Sequence, residues 1–225
     1  MPTSSDPTDM FAGLVDTLRR LEAGEIEPAE PRHAATVVML RDASGGPEVY
    51  LLRRSASMAF AAGAFVFPGG SMDPRDMDLG DEAWVGRPAA EWANDLSCDE
   101  RLARALVCAA VRETFEESGV LLAGSDGYTV VADTSGDDWE ADRLALIDRS
   151  LSLADMMRRR GLVVRADLLR PWAHWLTPEI EPRRFDTRFF VAALPAGQRT
   201  RDVGGEADRV AWMAPEAAVA GSERG

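Results

Sequence analysis

Lysine is absent from this 225-residue chain: the 25 basic residues are all arginine, set against 38 aspartates and glutamates. That absence excludes the chemistries that need a side-chain amine, among them Schiff-base catalysis, the P-loop lysine and the kinase lysine. The guanidinium that remains matches carboxylates and phosphates through paired hydrogen bonds. A formal net charge of −13 argues against a general nucleic-acid surface or an anionic-membrane surface, because both need basic patches. A polyanionic ligand must therefore be met locally. Histidine is limited to His33 and His174, too few by themselves for a multi-histidine metal centre, and each reads as a surface or packing residue. Cys98 and Cys108 lie in or near one predicted helix, too far apart along its axis for a disulfide within it, and read as reduced thiols. No run of about 18 apolar residues occurs. The N-terminus lacks a basic start followed by an apolar stretch, and Ser222-Glu223-Arg224-Gly225 is not a Ser-Lys-Leu-type address, so a cytoplasmic protein is expected.

What the chain does hold is Arg112-Glu113-Thr114-Phe115-Glu116-Glu117-Ser118-Gly119, with Phe67-Pro68-Gly69-Gly70 upstream. Positions 113, 116 and 117 stand as i, i+3 and i+4, which makes their side chains neighbours on one helical face. Like charges there repel, and Gly119 reads as the residue just past the helix end, so the cluster sits where the macrodipole disfavours anions. Folding stability alone would select other residues. A hard divalent cation reverses the argument, since Mg²⁺ takes oxygen ligands and is commonly shared between carboxylates and substrate phosphates. The competing reading is a solvated acidic helix end.

These residues resemble the Nudix box, usually G-x5-E-x7-R-E-U-x-E-E-x-G-U with U aliphatic. Phe115 and Val120 take the two U positions. Positions 71–111 separate Gly70 from Arg112, about 28 residues more than the box usually has, and the counterpart of its first Glu stays open between Asp76 and Glu100. That insertion, the run Leu51-Leu52-Arg53-Arg54-Ser55, and the segments Trp175-Leu176-Thr177-Pro178 and Arg184-Phe185-Asp186-Thr187-Arg188-Phe189-Phe190 resemble the coenzyme A diphosphatase branch of Nudix hydrolases. The likeness extends over roughly residues 34–218.

The length suits one domain with additions. We expect an N-terminal extension over residues 1–30 containing a helix at Met10 to Leu21, then a Nudix hydrolase domain over 31–225 with its insertion at about 72–98. Strands are predicted at Ala34–Leu40, Val49–Leu52, Phe65–Phe67, Ala173–Leu176, Arg188–Leu194 and Arg209–Met213. Helices are predicted at Pro88–Leu96, from an Asp99 N-cap to Gly119, at Trp139–Arg149 and at Leu153–Arg160. Mixed strands and helices imply an α/β class, and the resemblance implies a Nudix-type α/β/α sandwich with a mixed sheet.

The resemblance implies a metal-dependent diphosphatase using Mg²⁺ or Mn²⁺. It assigns Arg112, Glu113, Glu116 and Glu117 to catalysis, with Gly70, Glu113, Glu116 and Glu117 at the metal. Arg53, Arg54, Arg183 and Arg184 are candidates for binding substrate phosphates, Arg188 is a further one, and Glu206 is a candidate extra carboxylate. Trp172 and Trp175 read as core packing ahead of adenine stacking. The expected ligand is a small nucleotide diphosphate, foremost coenzyme A or acyl-CoA cleaved to 3′,5′-ADP and (acyl-)phosphopantetheine. ADP-ribose, NADH or a nucleotide sugar is the alternative, and a noncatalytic nucleotide-binding domain the second. Nucleic acid and membrane are not expected, and a homodimer is an open expectation.

Overall fold

A computed structural model describes residues 7–54, 64–201 and 207–222. The chain begins with helix α1 (Pro7–Glu22), then forms a hairpin of β1 (Arg32–Ala43) and β2 (Gly46–Arg54), followed by the short strands β3 (Phe65–Val66) and β4 (Gly69–Ser71). Two 3₁₀ turns, Pro74–Met77 and Asp81–Ala83, lead to β5 (Trp84–Val85), α2 (Ala89–Leu96) and α3 (Glu100–Ser118). After α3 come β6 (Ala123–Gly124), α4 (Asp137–Ile147), α5 (Leu153–Arg160), β7 (Val163–Arg165), β8 (Leu169–Leu176), β9 (Phe185–Ala193), β10 (Ala207–Met213) and α6 (Pro215–Ser222).

The main sheet runs β10-β2-β1-β9-β8, with β3 added to β2 and β4 to β1. β1 and β9 are parallel and the other pairs antiparallel, giving the mixed sheet that was expected. Alternation sends Ala35, Val37, Met39, Tyr50, Leu52 and Phe190 to the face covered by α3, where they form one apolar core with it. Val49 and Leu51 are buried on the opposite face, and α6 packs against β2. The architecture is an α/β/α sandwich.

α3 differs from its expected form. Leu102, Leu106, Ala109, Ala110 and Phe115 form one apolar stripe in the sequence, but every residue from Ala105 to Phe115 is buried. A helix enclosed on all sides is one that other elements cover, here the sheet, α2, α4 and the Pro74–Met77 turn. Its ends follow local rules. The Asp99 carboxylate accepts from the Leu102 N–H at 2.8 Å, and Gly119 takes the left-handed conformation (φ 73°) that ends the helix.

The segment expected as an insertion packs against the rest of the fold. β5 pairs with β7 in a second small sheet, β5-β7-β6, and α2 packs on α3. Its entry is set by a capping box: Arg75 N–H donates to the Asp73 carboxylate at 2.9 Å, and Asp73 N–H donates to Asp76 at 2.8 Å, with Pro74 starting the turn. That turn carries Asp76 inward.

Candidate active site

Two glycines bring the sheet against the last turns of α3. Gly69 pairs with Thr36 and Gly70 with Ala35 on β1. A Cβ on Gly69 would stand 2.5 Å from the Ala35 carbonyl oxygen, and one on Gly70 would stand 2.6 Å from Glu113 Oε1. Only glycine allows this approach. The Gly69 N–H then donates to Glu117 Oε2 at 2.8 Å, tying the strand to the helix.

Arg112 organises the rest. Its Nε and Nη2 donate to the two oxygens of Asp76 at 2.9 and 3.0 Å; Nη1 donates to Glu113 at 2.8 Å and Glu116 at 3.1 Å, and Nη2 also reaches the Ser71 carbonyl at 3.0 Å. The two candidates for the first carboxylate of the box are thereby separated. Asp76 is 3% exposed and paired with Arg112, whereas Glu100 is exposed in the first turn of α3, twelve residues and about 18 Å of helix rise away. The sequence carried a signal for this in Asp73-Pro74-Arg75-Asp76, which has the form of an N-cap, a proline at the first helical position and an acid at the third.

One guanidinium thus faces three carboxylates, with Glu117 beside them. Burial pushes Glu113 up to about 7, and its neighbour Glu116 adds to the rise. Burial also raises Glu116 and Asp76, with the Arg112 hydrogen bonds opposing the rise in both. For Arg112 burial works against the charge, yet Asp76, Glu113 and Glu116 hold it far above its ordinary range. The outer end of the capping box behaves oppositely: the Arg75 hydrogen bond draws Asp73 down to about 2.

The helix end beneath this anionic cluster is compensated in a way that sequence reasoning missed. Arg143 from α4 donates to the Glu116 carbonyl at 2.6 Å, the Arg201 N–H donates to the Ser118 carbonyl at 2.8 Å, and Gly119 N–H donates to the Phe115 carbonyl at 2.9 Å. The Arg143 guanidinium satisfies a carbonyl and opposes the negative end of the dipole, while the Arg201 backbone N–H satisfies a second carbonyl.

The donors are all oxygen and their charge exceeds what Arg112 offsets, which suits a hard divalent cation. Among the described residues no three carboxylate, imidazole or thiol groups surround one point; the carboxylates here turn to Arg112 and Gly69.

The remaining candidates separate. Arg184 is buried and donates to the Thr177 carbonyl at 3.0 Å and the Ala29 carbonyl at 2.9 Å, so it ties the β8–β9 turn to the segment ahead of β1. Arg188, named with it, is buried too, donating to the Leu96 carbonyl at 3.0 Å and to Asp186. Arg183 is exposed in the turn before β9. Arg53 is half-buried at the end of β2, opposite Phe65, and Arg54 follows it as the last residue of that strand. Glu206 and Ser55 lie outside the described residues. Trp172 and Trp175, expected in the core, are 74% and 62% exposed on the edge strand β8. No helix among the described residues is long and apolar enough to cross a membrane.

Comparison with known proteins gives the family. The family model of the NUDT19 Nudix domain matches residues 93–223. An acyl-coenzyme A diphosphatase NUDT19 of Xenopus laevis is 28% identical over 204 residues, spanning 76% of this chain and 54% of the relative. A putative nudix hydrolase 7 of Caenorhabditis elegans is 27% identical over 188 residues, spanning 84% and 53%. The chain therefore covers about half the length of these two relatives. The crystal structure of a NUDIX hydrolase from Alicyclobacillus acidocaldarius superposes with a TM-score of 0.73 at 31% identity, covering 88% of this chain and 85% of that one. The family model, which covers more than half of the chain, and the solved relative together show that the chain belongs to the Nudix hydrolase family.

Proposed function

We propose that this protein hydrolyses a diphosphate linkage in coenzyme A or an acyl-CoA, releasing 3′,5′-ADP and (acyl-)phosphopantetheine. The observation that carries the reading is Arg112 clamped by Asp76 on one side and holding Glu113 and Glu116 on the other. Relatives named as acyl-coenzyme A diphosphatases favour coenzyme A over ADP-ribose, NADH and nucleotide sugars.

Glu113, Glu116, Glu117 and the Gly70 carbonyl would hold Mg²⁺ or Mn²⁺. Such an ion neutralises nonbridging phosphate oxygens and acidifies a bound water. The chain's own part is positional and protolytic. Asp76 fixes the guanidinium plane of Arg112, Arg112 fixes two of the carboxylates, and Gly69 fixes the third through its N–H. One of these carboxylates accepts the proton of the attacking water. Arg53, Arg54 and Arg183 are proposed to meet the outer phosphates, and residues 31–225 to form the catalytic domain.

The test is a mass-spectrometric product assay with coenzyme A, an acyl-CoA, ADP-ribose and NADH, each with Mg²⁺, Mn²⁺ or excess chelator. Metal-dependent 3′,5′-ADP from the coenzyme A substrates is expected, together with its loss in Glu116→Gln. Turnover confined to ADP-ribose or NADH would replace the substrate, and Glu116→Gln at the parent rate would remove the site assignment.

A further inference from the structure

α4 ends in a way that local stability alone would not select. Just past its C-cap Asp148, Arg149 takes the left-handed conformation at φ 64°, which α3 and α5 give to Gly119 and Gly161 at their own ends. A glycine meets no Cβ clash there and an arginine does. Among the described residues only Ser97 also has a positive φ without being glycine. The Arg149 backbone is pinned on both sides: its N–H donates to the Leu146 carbonyl at 3.0 Å, and Arg75 Nη1 donates to its carbonyl at 2.9 Å. Its side chain is 77% exposed. Strain that the surroundings hold in place is a starting point for a functional reading.

The nearby acids are matched by other groups. Arg149 Nε stands 3.9 Å from Asp73 Oδ2, beyond hydrogen-bond reach, and Arg75 already donates to both Asp73 oxygens, from Nε at 3.1 Å and Nη2 at 3.0 Å. The Asp148 carboxylate accepts the Ser150 N–H at 2.8 Å, and Asp155 on α5 is held by Ser152 at 2.8 Å and Arg158 at 2.6 Å. Arg149 therefore brings a positive charge that this corner of the fold does not consume. From Asp73 the contacts run inward to the candidate active site: the Asp73 N–H donates to Asp76, Asp76 receives Arg112, and Arg112 holds Glu116. Burial raises Glu116, and the Asp73 charge adds to the rise, so the two carboxylates feel each other. α4 gives the same bearing, since Arg143 meets the Glu116 carbonyl and Arg149 follows six residues later, roughly 9 Å of helix rise. Arg149 and the carboxylates thus stand within the span of one nucleotide. A guanidinium so placed, exposed and with its donors directed outward from a pinned backbone, suits a phosphate monoester, which it can meet through paired hydrogen bonds.

Resting on the diphosphatase reading, we propose that Arg149 binds the 3′-phosphate of the coenzyme A nucleotide while the diphosphate lies at the Glu113–Glu116–Glu117 cluster. Arg149 is a specificity residue. It separates a nucleotide that carries a phosphate monoester beside its diphosphate from ADP-ribose and NADH, which do not, and the left-handed backbone aims it there although stability favours glycine.

The experiment compares Arg149→Gly and Arg149→Gln with the parent in turnover of coenzyme A and of dephospho-coenzyme A, which lacks the 3′-phosphate, and in calorimetric titration with 3′,5′-ADP and 5′-AMP. Both variants should raise KM for coenzyme A about 10-fold, as expected for one charged hydrogen-bonded contact at an exposed position, and leave KM for dephospho-coenzyme A unchanged. Binding of 3′,5′-ADP should weaken by a similar factor and binding of 5′-AMP should not. Arg149→Lys should recover part of both losses. Thermal unfolding separates this from a structural role, because Arg149→Gly relieves the backbone and should melt at or above the parent, by up to about 4 °C. No change in either variant, or an equal loss with and without the 3′-phosphate, would overturn the proposal while leaving the diphosphatase intact. If the parent cleaves no diphosphate the function fails instead, and 3′,5′-ADP binding lost selectively in Arg149→Gly still upholds the contact. A parent that binds 3′,5′-ADP no more tightly than 5′-AMP overturns it outright.

Discussion

Replacing Asp76 by asparagine keeps the volume of the side chain and removes its charge. The aspartate receives Arg112 Nε at 2.9 Å and Nη2 at 3.0 Å from a position 3% exposed. Removing one partner of a buried ion pair costs about 3–5 kcal/mol. Arg112 would still keep Glu113, Glu116 and the Ser71 carbonyl, so its charge is not left bare, and the lower end of that range, about 3 kcal/mol, applies. For a chain of this length that corresponds to a fall of roughly 6–12 °C in thermal midpoint. The asparagine can present its amide group to a guanidinium that only donates, which loosens the plane of Arg112 and with it Glu113 and Glu116. Turnover should fall about 10–100-fold, the usual range for groups that orient metal ligands. The assay is thermal unfolding in chelator, paired with coenzyme A hydrolysis in Mg²⁺. Glu100→Gln is the control, exposed and a whole helix away, with an expected effect of a few tenths of a kcal/mol. Asp76→Asn indistinguishable from the parent, or Glu100→Gln equally damaged, would refute the account of Arg112.

Three further outcomes follow from the same contacts. With Glu113 raised to about 7 from an ordinary value near 4.5, the folded state holds more protons than the unfolded between those limits. The stability of the metal-free protein should therefore fall as pH rises through that window, by at most about 3 kcal/mol from this group, and the difference between parent and Glu113→Gln in urea titrations isolates it. Gly69→Ala pushes a Cβ into backbone at 2.5 Å and should cost about 1–3 kcal/mol in denaturant melts, whereas Gly70→Ala meets a carboxylate that can turn aside and should lose turnover with a smaller loss of stability. Arg184→Ala should lower stability by about 2–3 kcal/mol through two orphaned carbonyls while leaving KM for coenzyme A unchanged; a raised KM at parental stability would return it to the substrate site.

The β1–β2 hairpin, the N-cap and C-terminus of α3, and the helices at Leu153–Arg160 and Ala89–Leu96 were legible in the sequence because short-range rules set them: turn residues, an aspartate before an apolar run, a glycine where φ must be positive. The carboxylate set of the candidate site was legible for the same reason, since i, i+3 and i+4 spacing places side chains on one face without any further information. Which acid reaches Arg112 was not, because Asp76 and Arg112 are 36 residues apart and meet only when the insertion folds back over α3. Trp172 misled for a related reason: alternation predicts a face, but the bulge at Pro171–Ala173 breaks the alternation, and β8 lies at the sheet edge where no neighbour covers the indole among the described residues. Arg184 and Arg188 carry the same charge in sequence as a phosphate clamp would. Tertiary structure spends their donors on the Thr177, Ala29 and Leu96 carbonyls and on Asp186, because a buried guanidinium must be satisfied by whatever the fold brings beside it.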